Sequence, residues 1–468
     1  MRFVPPLNQI ALSVVDLRLT ERWFREGLGL LPAGGSRWMM RGPLPSRVQG
    51  LPKAASTCWW LVGSNPWAQL ELFQFEQPMA RPMPTDFRPC DIGYTRIGLW
   101  VGDFDETLIR LARLGSQPLS IVQGQPGQRR ACVRNPDGVY VEIMEADPLV
   151  GQVKPGRDCP AAIRSVTMSV PDLQSTCDFL SNGMGLAETE TSLHSPQHEA
   201  LWGLTGANRK SLLFLAGDVL LEVVQYLDPL GKSWPEGYRL SDQGILNIAF
   251  GAHNKQDLMT VYRRACAAGA QPNCRPVHIP ILNAGVVYLN DSQGFSYEVL
   301  WLKPGKADRD WGFEPLPLDR RPAPDTHCIE QCVRIEASVK KVWAHISDHE
   351  GMAQWSGFKP ITVRRAGIDE RNGYGSERLM NGPGGNVVEQ VIGWQPPHHL
   401  RYRVTQGSPF VCHQGEILLR ELGQATELIW RIRFRPKLPG TGHLLRALLQ
   451  RMLGTMLVKR LKPYIERC

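Results

Sequence analysis

Apolar and polar positions along this chain change period repeatedly, and each change predicts an element. At 135–144, NPDGVYVEIM opens on four turn-forming residues. Asn mimics a backbone turn, Pro presets φ, Asp tolerates unusual conformations, and Gly accepts positive φ. The next residues alternate: Val139, Val141 and Ile143 on one side, Tyr140, Glu142 and Met144 on the other,. A tight turn into a short strand is predicted, with a carboxylate on an otherwise apolar face. Such a group needs a partner if buried. At 93–115, GYTRIGLWVGDFDETLIRLARLG reads as strand, Asp-containing cap, helix with Leu108, Leu111 and Leu114 at helical spacing, and Gly stop,.

These elements recur. SVVDL at 13–17 returns as SVPDL at 169–173, and EGLGL at 26–30 as NGMGL at 182–186. LELFQF at 70–75 returns as LEVVQY at 221–226, and Glu142 as Glu298 in NDSQGFSYEV at 290–299. The offsets are 156, 156, 151 and 156 residues, so a duplicated unit of about 150 residues is predicted,. Within each copy, 9–30 echoes 93–115 and 163–186 echoes 244–269, so each copy reads as two β-α-β-β-β halves.

The pattern stops at a Pro-rich stretch, 304–325, expected to be a linker,. Beyond it come a strand (CIEQCVRIEAS), a helix ending near a Trp, and successive antiparallel strands with polar turns,. The chain closes on a long helix with an apolar stripe through Leu445, Leu448, Leu449, Met452, Leu453, Met456 and Leu457,.

Composition adds bounds. With 468 residues, about three domains are expected,. No run of about 18 uncharged apolar residues exists, so no membrane span is expected,. The N-terminus lacks the apolar block and cleavage site of a signal peptide,. Eleven cysteines without CxxC pairs suit reduced thiols, and the location expected is cytoplasmic,. A net charge of +8 is mild for this length, and without basic blocks interleaved with aromatics it gives nucleic-acid binding no support,.

The SV-x-DL-to-GLGL opening, the LELFQ strand and the NPDG-x-x-x-E close resemble the vicinal oxygen chelate superfamily, which includes glyoxalase I, methylmalonyl-CoA epimerase, extradiol dioxygenases and the bleomycin- and fosfomycin-resistance proteins. The ASVKKVWAHISD…MAQW opening, the W-x-P-P-x-x-L-x-Y strand and the closing helix resemble the START-like polyketide cyclase and dehydrase superfamily. The implied fold class is α+β: chelate domains at 1–155 and 156–303, a linker at 304–325, and a helix-grip START-like domain at 326–468. The START-like resemblance implies an apolar cavity between sheet and terminal helix. The stripe would then close that cavity, with Arg446, Arg451, Lys459, Arg460 and Lys462 as its solvated face. The competing possibility, a basic amphipathic helix on an anionic membrane, ranks second.

In the chelate fold, metal ligands come from the first and last strands of the halves. Carried over, the slots hold Gln9, Glu71, Arg96 and Glu142 in the first copy, and Ser165, Glu222, Asn247 and Glu298 in the second. Guanidinium cannot ligate a metal, so Arg96 is expected to replace the cation and pair with Glu71, Glu142 or both. The second set offers four oxygens, a weak site for Mg, Mn or Ca. Neither set has the two-His-one-carboxylate group of non-haem iron, which disfavours an extradiol dioxygenase. Trp100 shares a face with Arg96, and Gln9 one with Ala11 and Ser13; Gln9, Trp100, Tyr402 and Trp430 are the candidate substrate-binding residues. Glu389 and His413, with Tyr402 and Trp430, alternate into or away from the START-like cavity. His194 and His198, separated by Pro196, are expected to be loop residues, and His398 and His399 a structural turn.

The expected function is a lyase- or isomerase-type enzyme acting on small, apolar carbonyl compounds such as those of secondary metabolism. Glu298 or Glu142 would move a proton, and Arg96 or an ion would stabilise the enolate. The alternative is a non-catalytic protein that sequesters a small apolar compound. Expected partners are a small apolar ligand and no nucleic acid, with no stable membrane insertion; a homodimer is compatible.

Overall fold

A computed structural model describes residues 3–36, 39–152, 156–190, 192–279, 284–302, 310–382 and 385–467. The chain divides into two compact units, Met1–Pro322 and Ala323–Cys468.

In the first unit, the recurring Val-x-Asp-Leu motif starts helices. Asp16 and Asp172 are N-caps, accepting hydrogen bonds from the backbone N–H of Leu19 (3.2 Å) and Ser175 (3.1 Å),. Asp103 and Asn254 do the same for Glu106 (3.0 Å) and Asp257 (2.9 Å). The turn before Glu142 is also built twice. Asn135 Oδ1 accepts from the N–H groups of Asp137 and Val139, and Asp291 Oδ1 from those of Gln293 and Phe295, all at 2.9 Å. Gly138 and Gly294 sit at φ 82° and 89°, where a side chain would be strained,.

Four modules result, each best described by its first and last strands. These are Leu7–Val14 and Gln69–Gln77 in module 1, and Gly93–Val101 and Tyr140–Met144 in module 2. They are Ala161–Ser169 and Val219–Asp228 in module 3, and Gly244–Ala252 and Ser296–Leu302 in module 4. In each module the last strand lies parallel to the first. This sets Ala11 beside Glu71, Gly98 beside Glu142, Thr167 beside Glu222 and Ala249 beside Glu298. Every module therefore offers one glutamate beside its first strand.

The modules do not pair within copies. The first strand of module 1 runs antiparallel to that of module 4, with Ala11 opposite Asn247, and that of module 2 to that of module 3, with Gly98 opposite Ser165. A single bridge, Tyr94 to Ile245, joins the two pairs into one 16-stranded sheet. The connections 78–92 and 229–243 run side by side. Arg81 Nη2 lies 2.6 Å from Asp242, and the Ile92 N–H donates to the Lys232 carbonyl at 2.8 Å. The expected boundary between residues 155 and 156 thus separates two copies in sequence, but each concave cup is built from both. On the convex face the main core packs Leu12, Ile97, Val166 and Val299 with helical Trp23, Phe24 and Val261.

The 304–325 segment is not all linker. Residues 304–309 lie outside the described residues, but Trp311 and Phe313 belong to the first unit. The Trp311 carbonyl accepts from Gln69 Nε2 at 2.9 Å, and the Phe313 carbonyl from Arg157 Nη2 at 2.6 Å.

The second unit is a seven-stranded antiparallel sheet. Its order is His327–Ile335, Ala425–Pro436, Phe410–Leu422, His399–Gln406, Gly385–Gln395, Glu377–Gly382, Ile361–Arg365. Val339–Ser347 forms the short helix, capped by Ser338. The terminal helix runs from Gly442–Met456 through Leu457–Leu461 to Lys462–Arg467. Leu453, Met456, Leu457, Leu461 and Ile465 enter the core and Leu445 and Leu449 pack at its edge. Leu448 and Met452 do not: they are 57% and 49% exposed. The expected stripe is too wide for one buried face, because these two lie round the helix from Leu453.

Candidate active site

The cup formed by modules 1 and 4 gathers Gln9, Glu71, Asn247 and Glu298, all buried. Its wall is apolar: Ala11, Cys58, Trp60, Phe73, Phe75 and Leu246 form a cluster of their own, against which Trp311 packs. Trp60 Nε1 donates to Glu71 at 2.9 Å. Gln9 Oε1 has no hydrogen-bond partner, whereas the Asn247 side chain and the Tyr288 hydroxyl hydrogen-bond to the Glu298 carboxyl. Polar side chains gathered in one buried cup against an apolar wall suit a small polar group of a ligand. Burial, then the nearby Glu298 charge, raises the Glu71 carboxyl to about 8; burial raises Glu298 to about 7 against opposition from Tyr288 and Asn247. The pair therefore retains a proton near neutrality.

The cup formed by modules 2 and 3 is filled. Its floor holds Arg96, Glu142, Ser165 and Glu222, and His194 enters from a loop. His194 Nε2 lies 2.8 Å from Glu142 and Nδ1 2.9 Å from Glu222. Arg96 donates to Glu222 at 3.0 Å, and Arg130 to Glu142 at 2.6 Å. The Arg96 guanidinium also lies 3.5 Å from the Trp202 ring centre,. Glu199, held by Arg209, Trp202 Nε1 (2.7 Å) and the Tyr226 hydroxyl (2.9 Å), completes the set. Three carboxylates and three guanidinium groups thus meet around one imidazole. Burial alone would depress His194, but Glu142 and Glu222 outweigh it and raise its pKa. Burial would raise both carboxyls, yet His194 and the arginines hold Glu142 well below its ordinary value and Glu222 at about 2. A Cβ on Gly98 would sit 2.1 Å from Ser165 Oγ, so the floor is also tightly closed.

The sequence-derived ligand sets are therefore regrouped. Gln9 and Glu71 share a cup with Asn247 and Glu298, not with Arg96 and Glu142. Ser165 and Glu222 share one with Arg96 and Glu142. One ion cannot be held by Ser165, Glu222, Asn247 and Glu298, because two lie in each cup. Arg96 hydrogen-bonds Glu222 and is attracted by Glu142 in the same cup, so of the expected partners Glu71 is the one it does not meet. Glu142 and Arg96 are locked in ion pairs and lack the freedom that proton transfer and enolate binding require. Trp100 is half-buried in the second cup's sheet, its indole donating to the Glu145 carbonyl at 3.1 Å. His194 is a loop residue as expected, yet it occupies the centre of a site, whereas His198, also expected in a loop, lies in the short 3-10 helix Pro196–Trp202. The spacing of four between His194 and His198 is the one pattern that points to it, and Pro196 between the two argues against a shared helical face,. Trp60 and Tyr288 were also missed; as strand aromatics they look like core.

Among the described residues no group of three or more His, Cys, Asp and Glu side chains is spaced to hold a metal. The first cup's donors are two carboxylates and two amide oxygens. That chemistry suits a hard divalent cation, which would relieve the two crowded acids.

In the second unit, Tyr402 and Trp430 turn into the core, Trp430 Nε1 donating to the Tyr402 hydroxyl at 2.9 Å. Beside them Arg378 Nη2 lies 2.7 Å from Glu389. His413 is buried, accepts from the Val404 N–H at 3.3 Å, and is lowered by burial to about 4. His399 pairs with Glu416 at 3.0 Å and His398 faces the Leu419 carbonyl at 3.3 Å, a structural turn.

The four-module sheet with paired cups resembles the vicinal oxygen chelate fold, and the sheet with its terminal helix in the second unit resembles the START-like helix-grip fold. Residues 326–466 match the family described as polyketide cyclase / dehydrase and lipid transport. Glyoxalase I from Zea mays is 15% identical, covering 63% of this chain and 92% of its own, with a TM-score of 0.44. A Bacillus subtilis protein described as a dioxygenase is 14% identical, covering 68% and 92%, with a TM-score of 0.46. A START superfamily protein from Mycobacterium smegmatis is 21% identical, covering 30% and 99%, with a TM-score of 0.28. No curated protein sequence matches the chain. Among the described residues no helix is long and apolar enough to cross a membrane. The family match of residues 326–466 suggests small-molecule metabolism or binding.

Proposed function

We propose that the cup of modules 1 and 4 is a proton-transfer site for a small, largely apolar carbonyl compound, of lyase or isomerase type. The observation that carries this is the acid pair Glu71 and Glu298, buried beside Gln9 and Asn247 against an apolar wall. A pair that keeps one proton near neutrality has an acid and a base in one place. Glu298, held by Tyr288 and Asn247, removes the proton beside the carbonyl. Glu71, oriented by Trp60, carries the proton that the pair retains and gives it to the carbonyl oxygen. Asn247 Nδ2 donates to the same developing negative charge. Phe73, Phe75 and Trp60 hold the apolar body and exclude water.

Gln9, Glu71, Asn247 and Glu298 would hold a divalent ion such as Mg or Mn, which when bound would polarise the carbonyl. The other cup has no such role, because His194 fills it. The second unit holds a small hydrophobic ligand between its sheet and terminal helix, consistent with its family match.

The test is proton exchange in D2O, followed by NMR, on a panel of apolar α-hydroxy aldehydes and ketones, with and without Mg or Mn. Wild type should exchange the C–H beside the carbonyl, and Glu298→Gln should not. The proposal fails if no member of the panel exchanges under either condition, or if Glu298→Gln exchanges as fast as wild type. In the first case, native mass spectrometry showing a co-purified apolar compound would favour sequestration.

A further inference from the structure

We propose that the terminal helix docks the protein on an anionic lipid surface. Its outer face is apolar: Leu444, Leu448 and Met452 are 64%, 57% and 49% exposed and stand four residues apart, which places them in one row,. Val458 (54%) is exposed further along the helix and Leu438 (68%) lies just before it. These residues are not the buried side of the helix, which is made by Leu453, Met456, Leu457 and Leu461. The helix thus has two apolar faces, one committed to the core and one uncovered.

Charge identifies the occupant. From Leu428 to Ile465 the sequence holds nine Lys and Arg and no Asp or Glu. Arg446, Arg451 and Lys459 are exposed on this helix. Arg431 and Lys462 are ion-paired with Glu330, Glu416 and Glu466, but a second copy docking through the same row would bring Arg446, Arg451 and Lys459 of both helices together, whereas anionic headgroups accept them. The regular segment Gly442–Met456 has 15 residues, short of the roughly 20 needed to span a bilayer, so it lies in the interface plane,.

The test is co-sedimentation of the full chain with vesicles of phosphatidylcholine alone and of phosphatidylcholine mixed with phosphatidylglycerol. Binding to the mixed vesicles only, weakening as salt rises, is expected. Leu448→Asp should lower the partition coefficient roughly tenfold or more without changing thermal unfolding, since Leu448 is exposed. Arg451→Glu with Lys459→Glu should lower it as well. The proposal is overturned if wild type binds neither vesicle, or if Leu448→Asp binds as well as wild type. It is also overturned if sedimentation equilibrium shows a wild-type dimer that Leu448→Asp dissociates, with no vesicle binding by either.

Discussion

Replacing His194 with alanine removes the group that joins the two carboxylates of the filled cup. His194 contacts Glu142 at 2.8 Å and Glu222 at 2.9 Å, and all three side chains are at most 2% exposed. Charge-assisted bonds of this kind contribute about 1.5–3 kcal/mol each, so two bonds give roughly 3–6 kcal/mol. Arg96 and Arg130 remain on the carboxylates and soften the loss, while the empty imidazole volume adds to it. The expected destabilisation is about 3–5 kcal/mol, as for breaking a buried ion pair. With an m-value of about 3 kcal/mol/M, the urea midpoint of the first unit should fall by roughly 1–1.7 M.

The effect should depend on pH. His194 is raised above 6.5, so its contribution is complete below 6.5 and is lost as pH rises through its folded-state value,. Glu222 is lowered from 4.5 to about 2, and Glu142 is lowered too, so their contributions are complete above 4.5 and are lost as pH falls below it,. The gap between wild type and variant should therefore be widest between pH 4.5 and 6.5 and narrow on both sides. Urea unfolding at pH 3, 5.5 and 9 measures this. A variant within 0.5 kcal/mol of wild type at about pH 5.5, where ordinary surface substitutions fall, would refute the clamp.

Other expectations concern the open cup and the second unit. Glu71 and Glu298 are raised to about 8 and about 7, so their contribution is complete below 4.5 and is lost as pH rises toward 8,. Glu298→Gln should flatten that slope and make the first unit more stable than wild type at alkaline pH, on the order of 2 kcal/mol by thermal or urea unfolding. The fragment 323–468 should unfold in one cooperative transition, followed by far-UV circular dichroism. In it, Arg378→Met should cost about 3–5 kcal/mol by leaving Glu389 buried alone, and Arg378→Met with Glu389→Leu should cost much less. Leu453→Asp should destabilise the same fragment by several kcal/mol, whereas Leu448→Asp should change it by about 0.5 kcal/mol or less.

Local chemistry made much of the fold legible in the sequence. The caps Asp16 and Asp172, the turns built on Asn135 and Asp291, and the strands carrying Glu71, Glu142, Glu222 and Glu298 all depend on near neighbours in the chain. Two copies at nearly one offset therefore announce two copies of one structure, and the period changes after 326 announce a different one. The grouping of the four glutamates was not legible. Each first strand offers an equivalent edge, and the connections 78–92, 145–160 and 229–243 are nearly equal in length, so neither sequence nor tether favours one pairing. Only the tertiary structure joins module 1 to module 4, and so puts Glu71 with Glu298 and leaves Glu142 to Glu222. It also brings His194 from a loop onto that second pair, and divides the terminal helix into a buried row and an exposed one. A periodic pattern records which residues are apolar or acidic, but not which strand edge or solvent each one meets.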